Sequence, residues 1–368
     1  MRKPPLHRLS PARPRAGRSA HPQRRPFAPL PGGTAAACAL ALGCALALAA
    51  CGTKQDVTTP PAAAKRFTVM LDWFPNADHA PLYAAIAHGD FRAVGLDVKP
   101  VVPSQTDEPL KLLAAGKVDI AISYEPELLL ARDEGLKLVS VGALVQRPLT
   151  SIIALPGGHV RSVAELQGKT VGTAGIPYQA AMLKAALHGA HVNRARVHEV
   201  NVGFSLVPAM LSGKVDATLG AYWNYEAIQL ALQHRQPTVI PINHAGVPTY
   251  NELVLVVREK DARTRGQDLR AFMQALTRGE REVRANPAAA AKLVVKANPS
   301  LDHRLQLESI KRTLPAAMPA SPRHPYGWQD PSAWAAFAAW MFSHGLIKHA
   351  PGAGLPPFTN EYLPGQGI

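Results

Sequence analysis

The sequence predicts an α/β protein built as two similar lobes, and three observations carry that reading. From residue 66 onward, short apolar strand-like runs alternate with helix-like runs. This is the pattern of mostly parallel strands crossed by helices. A unit of helix, Gly-Lys-Val-Asp, strand and aromatic–acidic residues occurs twice, at Gly116–Asp119 and Gly213–Asp216, 97 positions apart. About 300 residues follow an apolar N-terminal run, enough for two lobes with separate cores.

The elements follow in order. Arg66–Asp72 is the first strand, and the Trp73–Asp78 loop leads into a helix over His79–His88. A strand over Gly95–Val102, a helix over Asp107–Ala115 and a strand over Val118–Ser123 come next, then strands at Leu138–Leu144 and Ser151–Leu155. Ser162 and Glu165 stand three apart, the capping-box spacing that starts a helix. Strands at Lys169–Thr173, Val197–Val200 and Val215–Gly220 alternate with helices at Gln179–His188 and Leu206–Ser212. Strands at Thr238–Ile242 and Leu253–Arg258 follow, and the remainder is helical over 267–285, 287–297, 302–313 and 331–344. In both copies of the repeat a helix stops at a Gly C-cap and a buried strand runs to an aromatic–acidic loop, Tyr124-Glu125 or Tyr222-Trp223-Asn224-Tyr225-Glu226. Open α/β sheets bind ligands at such strand ends.

The N-terminus reads as a secretory leader. Every charge before residue 34 is positive, and residues 34–50 are uncharged and almost entirely Ala and Leu. At 17 residues this run is at the short limit for a membrane span. Its end, Leu48-Ala49-Ala50-Cys51-Gly52, resembles a bacterial lipobox, which implies lipidation of Cys51. Gln23-Arg24-Arg25-Pro26-Phe27 is similar to a twin-arginine export signal. The expected organisation is a leader over 1–50, a lipidated tether over 51–64, a first lobe over 65–150 and a second lobe over 151–248. Residues 249–368 then return to the first lobe and add C-terminal helices. The expected location is the periplasm or cell surface, on a lipid anchor.

Composition narrows the chemistry. The net charge of +14 falls to +6 without residues 1–50, which hold eight basic groups and no acid. That remainder is dispersed, so no nucleic-acid footprint is expected. The only cysteines are Cys38, Cys44 and Cys51, which leaves the body of the chain no disulfide or thiol chemistry. The 14 histidines show no His-Glu-x-x-His spacing, no Gly-x-Ser-x-Gly elbow occurs, and no glycine cluster makes a phosphate-binding fingerprint. No metal or cofactor is expected.

A family resemblance sharpens the reading. The stretch Leu71-Asp72-Trp73-Phe74-Pro75-Asn76-Ala77-Asp78-His79-Ala80-Pro81-Leu82-Tyr83-Ala84-Ala85 resembles the opening of the thiamine-pyrimidine-precursor binding proteins. Gly89-Asp90-Phe91, Gly95-Leu96-Asp97-Val98, the Gly-Lys-Val-Asp unit with Ser123-Tyr124-Glu125, the Tyr222–Glu226 run and the ending Phe358-Thr359-Asn360-Glu361-Tyr362-Leu363 extend the match over about 66–363. The same superfamily holds yeast-type thiamine pyrimidine synthases and alkanesulfonate-binding proteins. The resemblance implies a type II periplasmic-binding-protein fold, two lobes joined by a hinge with the ligand in the cleft. It implies a monomeric binding protein of an ABC importer, docking on an inner-membrane permease, and no enzyme. The synthases by resemblance carry a cysteine cluster that this chain lacks.

An aminopyrimidine needs flat aromatic faces, acceptors for its amine and a dry enclosure. Trp73, Tyr124, Tyr222 and Trp223 can supply faces, Asp72, Glu125 and Glu226 can accept, and Asn76 and Asn224 can pair both ways. The resemblance adds His79 and Tyr178. Ser104-Gln105-Thr106 reads as plain capping, and Tyr250-Asn251-Glu252 as hinge or rim, with hinges near Thr150–Ser151 and Gly246–Tyr250. An anionic ligand would want Arg or Lys among these loops, which offer carboxylates and rings instead. A binding protein for riboflavin, a sulfonate or nitrate is the alternative within this fold.

Overall fold

Each copy of the repeated Gly-Lys-Val-Asp unit ends by pinning one strand to its neighbour, and the fold grows from those two pins. The computed structural model describes residues 63–352 and 355–366. The expected leader and its Cys51 lie outside the described residues. The first lobe opens with β1 (Lys65–Met70), β2 (Leu96–Val101), β3 (Ile120–Ser123) and β4 (Leu138–Val145). Between and after these strands come α1 (Ala80–Ala87), α2 (Asp90–Ala93), α3 (Pro109–Ala114) and α4 (Glu125–Asp133). The second lobe holds β5 (Thr150–Ala154), β6 (Thr170–Thr173), β7 (His198–Asn201), β8 (Ala217–Tyr222) and β9 (Thr238–Pro241). Its helices are α5 (Pro177–Gly189), α6 (Leu206–Leu211) and α7 (Glu226–Leu232). The chain then returns through β10 (Leu253–Arg258) and ends in α8 (Glu259–Thr264), α9 (Gly266–Ala285), α10 (Pro287–Ala297), α11 (His303–Ala317) and α12 (Pro331–Ser343). Among the described residues no helix is long and apolar enough to cross a membrane.

The two sheets share one plan. Their strand orders are β2-β1-β3-β10-β4 and β7-β6-β8-β5-β9. Three parallel strands come first in each, then an antiparallel strand that follows directly on a crossover between the lobes. The repeat explains the shared part. Gly116 and Gly213 adopt φ of +73° and +71°, which stops α3 and α6. Asp119 then accepts hydrogen bonds from the Thr68 N–H and hydroxyl, both at 2.7 Å, and so ties β3 to β1. Asp216 accepts from the Thr170 N–H at 2.8 Å and ties β8 to β6 in the same way.

The chain crosses between the sheets at 146–149 and returns over 242–252. Glu252 binds the two crossings together. Its buried carboxylate accepts from the N–H groups of Leu149 (2.6 Å) and Thr150 (2.8 Å), the Thr150 hydroxyl (2.9 Å) and the Tyr250 hydroxyl (3.2 Å).

Three expectations need correction. The cores are not separate, since one cluster of buried apolar residues runs from Phe67 and Ile120 in the first sheet to Val171 and Leu219 in the second. Aromatic side chains between the lobes bridge the two. The Ser162–Glu165 capping box does not form. Val163–Leu166 is a single 3-10 turn, Ser162 caps nothing, and Glu165 accepts from the Arg161 N–H at 2.6 Å. The backbone leaves the helical region at Gln167, with ψ of 119°, to enter β6. The aromatic–acidic segments are helix starts rather than loops: Tyr124 is the N-cap of α4 and Tyr225 that of α7.

The crossing of α9 over α1 sets the position of the turn that precedes α1. A Cβ at Gly279 would lie 2.2 Å from the Pro81 carbonyl oxygen and 2.8 Å from the Ala85 nitrogen. Backbone on both sides leaves no cheap relief. Gly279→Ala should therefore destabilise the protein by about 2 kcal/mol or more, read as a lowered denaturation midpoint at unchanged slope.

Candidate functional site

The carboxyl end of β1 delivers Asp72 and Trp73 to the cleft between the lobes. Asp72 is 3 % exposed and both its oxygens are used. Oδ1 lies 2.8 Å from His79 Nε2, and Oδ2 accepts from the Tyr124 hydroxyl at 3.0 Å. His79 Nδ1 accepts the Asn76 N–H at 3.3 Å, so the ring carries its hydrogen on Nε2 and donates it to Asp72. Asn76 closes the turn by accepting the Asp78 N–H at 2.8 Å. Burial and the nearby Asp72 push the Tyr124 hydroxyl well above its ordinary pKa, so it stays a donor.

The second lobe supplies the facing wall. Tyr178 and Gln179 open α5, and Gln179 is oriented by the Ala174 N–H at 2.8 Å. Gly220, with φ of +109°, passes Gln179 so closely that a Cβ would lie 2.3 Å from its Nε2. Beyond β8, Glu226 accepts the Tyr222 N–H at 2.7 Å and stands on the cleft. Burial raises its carboxyl to about 7. Tyr124 packs against Tyr178 with ring centroids 5.1 Å apart, and Phe204 packs on both Trp73 and Phe74 at 4.5 Å. The lobes thus meet ring to ring. Such pairs add about 0.5–1.5 kcal/mol each beyond area burial.

The walls stand close together, and the space between them leaves room for the centres of water-sized molecules over only about 20 Å³. Asp72, Asp78 and Glu226 are its acids, and Trp73, Tyr124, Tyr178, Tyr222 and Tyr225 its rings. No Lys or Arg is among the lining residues. Among the described residues no group of three His, Cys, Asp or Glu side chains is placed to hold a metal.

Seven residues singled out from the sequence come together on this cleft: Asp72, Trp73, Asn76, Tyr124, Tyr178, Tyr222 and Glu226. Four do not line it. His79 sits behind Asp72 and orients it. Glu125 is fully buried on the far side of Tyr124, where Oε2 accepts from the Asn251 N–H and side-chain amide, both at 2.7 Å. Trp223 turns away to donate to the Pro148 carbonyl at 2.9 Å. Asn224 is fully buried between Asp78 and Thr313. Neighbouring residues at a strand end point to opposite sides, so adjacency in sequence could not place all of Tyr222–Glu226 on one wall. Asp78, Ile176, Gln179, Leu206, Gly220 and Tyr225 line the cleft without having been singled out. Asp78 and Tyr225 lay within the quoted motifs. The other four carry no local signal.

With the geometry in hand, the comparisons define the protein class. A family model described as NMT1/THI5 like matches residues 76–290. The formylaminopyrimidine-binding protein of Halalkalibacterium halodurans is 36 % identical over 308 residues, covering 82 % of this chain and 92 % of the relative. The 4-amino-5-hydroxymethyl-2-methylpyrimidine phosphate synthase THI13 of Saccharomyces cerevisiae is 24 % identical over 317 residues, covering 81 % and 88 %. Among solved structures, the alkanesulfonate-binding protein SsuA of Xanthomonas axonopodis pv. citri bound to MOPS superposes with a TM-score of 0.60 at 17 % identity, covering 78 % of this chain and 96 % of that one. The fold is that of a type II periplasmic binding protein. The chain belongs to the NMT1/THI5-like family.

The buried acids give the protein a pH signature. Burial raises Glu125 from 4.5 to about 8, although the Asn251 donors oppose the shift. The folded chain keeps this proton across pH 4.5–8, where the unfolded chain has lost it, so stability falls as pH rises through that window. Glu127, Glu226 and Glu252, each raised to about 7 by burial, act in the same direction. Thermal melting should therefore show a midpoint that falls from pH 5 to pH 8.5, and Glu125→Gln should make that fall shallower.

Proposed function

We propose that this chain is a solute-binding protein for a thiamine pyrimidine precursor of the formylaminopyrimidine or hydroxymethylpyrimidine kind, held outside the cytoplasmic membrane and delivering its ligand to an ABC permease. The observation that carries this reading is a cleft wall without Lys or Arg: aromatic rings and three carboxyl groups in a narrow enclosure. A flat heteroaromatic ring with amino groups complements that surface, whereas a sulfonate or nitrate would leave its charge unpaired. The relative named for binding formylaminopyrimidine, at 36 % identity over most of both chains, supports the same ligand class.

In this reading Trp73 and the tyrosines of both lobes enclose the ring. Asn76, Gln179 and Glu226 meet its polar edge, and the His79–Asp72–Tyr124 chain keeps the pocket floor rigid. Ligand contact with both lobes favours the closed form, the only way a ligand can shift that equilibrium. Enzymatic use of the cleft in the manner of the family's synthases lacks support, because residues 52–368 contain no cysteine.

Titration of tryptophan fluorescence with the formylated aminomethyl-pyrimidine tests the ligand. Saturable quenching at micromolar concentration or below is the expected result, and no response from folded protein would move the ligand to another class. Trp73→Ala and Glu226→Ala should each weaken binding by at least tenfold, about 1.4 kcal/mol. Unchanged affinity in both variants would remove this pocket assignment. Cys51→Ala should release the protein from membranes without altering affinity, as followed by fractionation. Continued membrane attachment of the variant would count against lipid anchoring at Cys51.

A further inference from the structure

Within the ligand class just proposed, we propose that Asp78 is the residue that selects a ligand carrying an N–H donor, and that Asn224 couples this recognition to lobe closure. Asp78 lies in the 3-10 turn between β1 and α1, lines the cleft and is 4 % exposed. Its Oδ1 accepts from the Asn224 side-chain amide and from the Thr313 hydroxyl, both at 2.8 Å. Its Oδ2 is buried and has no hydrogen-bond partner. A buried carboxylate oxygen without a donor is destabilising, so its position on the cleft needs a reason.

The neighbouring acids sharpen the assignment. Asp72 has both oxygens taken by His79 and Tyr124. Glu226 has one oxygen on the Tyr222 N–H. No cation on the wall can serve Asp78. An N–H from the ligand, an exocyclic amine or a protonated ring nitrogen, is the group that completes it. A ligand presenting a methyl or an acceptor at that point leaves Oδ2 unpaired and is rejected.

The coupling follows from a planar group with two ends. Asn224 comes from the second lobe, between β8 and α7, while Asp78 belongs to the first. Asn224 Nδ2 also lies 2.6 Å from Thr313 Oγ1 on α11. A ligand that donates to Oδ2 holds the carboxylate in the plane in which Oδ1 meets Asn224. Ligand recognition and the inter-lobe bond therefore favour one rotamer of one side chain.

The test titrates the full chain by calorimetry with two probes: 4-amino-5-hydroxymethyl-2-methylpyrimidine, and its analogue with methyl in place of the amino group. The parent should prefer the amino probe by about tenfold or more. Asp78→Asn should abolish that preference while changing affinity for the methyl probe by less than about threefold. Thr313→Val leaves Oδ2 in place but removes one of the donors that orient it, so it should reduce the preference without abolishing it. A preference unchanged in Asp78→Asn overturns the inference. If that variant does not fold, a preference unchanged in Thr313→Val overturns it equally. A parent that binds neither probe overturns the pyrimidine reading and this inference with it. A parent that binds the amino probe, with Asp78→Asn equal to it, leaves the pyrimidine reading standing and overturns this inference alone.

Discussion

A carboxylate taken out of water must find donors or keep its proton, and that constraint organises the middle of this protein. Asp72, Asp78, Glu125, Glu127, Glu226 and Glu252 are all buried or nearly so around the cleft and the crossings. Each solves the problem differently. Glu252 gathers two backbone N–H groups and two hydroxyls and so joins the crossovers. Asp72 uses His79 and Tyr124 and so builds the cleft floor. Glu125 and Asp78 are each satisfied at one oxygen only. Glu125 lies away from the cleft and is pushed to about 8 by burial; Asp78 faces the cleft, where burial lifts it only to about 6 against the donors on its other oxygen.

The architecture suits two-sided recognition. Both sheets place strand ends, and the helices that start there, on the same cleft. The first lobe brings Asp72, Trp73, Asn76 and Tyr124, and the second brings Tyr178, Gln179, Tyr222 and Glu226. Ring-to-ring packing of Tyr124 on Tyr178, and of Trp73 and Phe74 on Phe204, lines the seam between the lobes with aromatic surface. Exclusion of water strengthens every polar contact inside, which is how a handful of acceptors can discriminate among small flat molecules. The same family scaffold carries synthases and binding proteins. Fold alone does not separate these uses, and the side chains of the cleft must do so.

Much of the fold was legible in the residues. The alternation of strands and helices, the paired Gly-Lys-Val-Asp units and the long C-terminal helices all rest on local chemistry, a glycine at positive φ or an apolar period. The failures were local as well. Ser162 and Glu165 have capping-box spacing, yet Glu165 is used by the Arg161 N–H and the chain turns into β6 after a single turn. The helices at Glu125 and Glu226 were masked by the aromatic and acidic residues at their starts, which read equally well as loops.

The sequence by itself determined that two like α/β units exist, that their strand ends carry rings and acids, and that the body of the chain has no cysteine chemistry. Those facts depend on residue type and short spacing. Tertiary structure decided which of those groups face the cleft. Trp223 and Asn224 adjoin Tyr222, yet one seeks the Pro148 carbonyl and the other Asp78 and Thr313, partners 75, 146 and 89 residues away. Asp78 gains its meaning only when Asn224 and α11 close over one of its oxygens and leave the other without a partner. The direction of a side chain at a strand end, and the donors available to a buried acid, are properties of distant segments brought together. No local pattern records them.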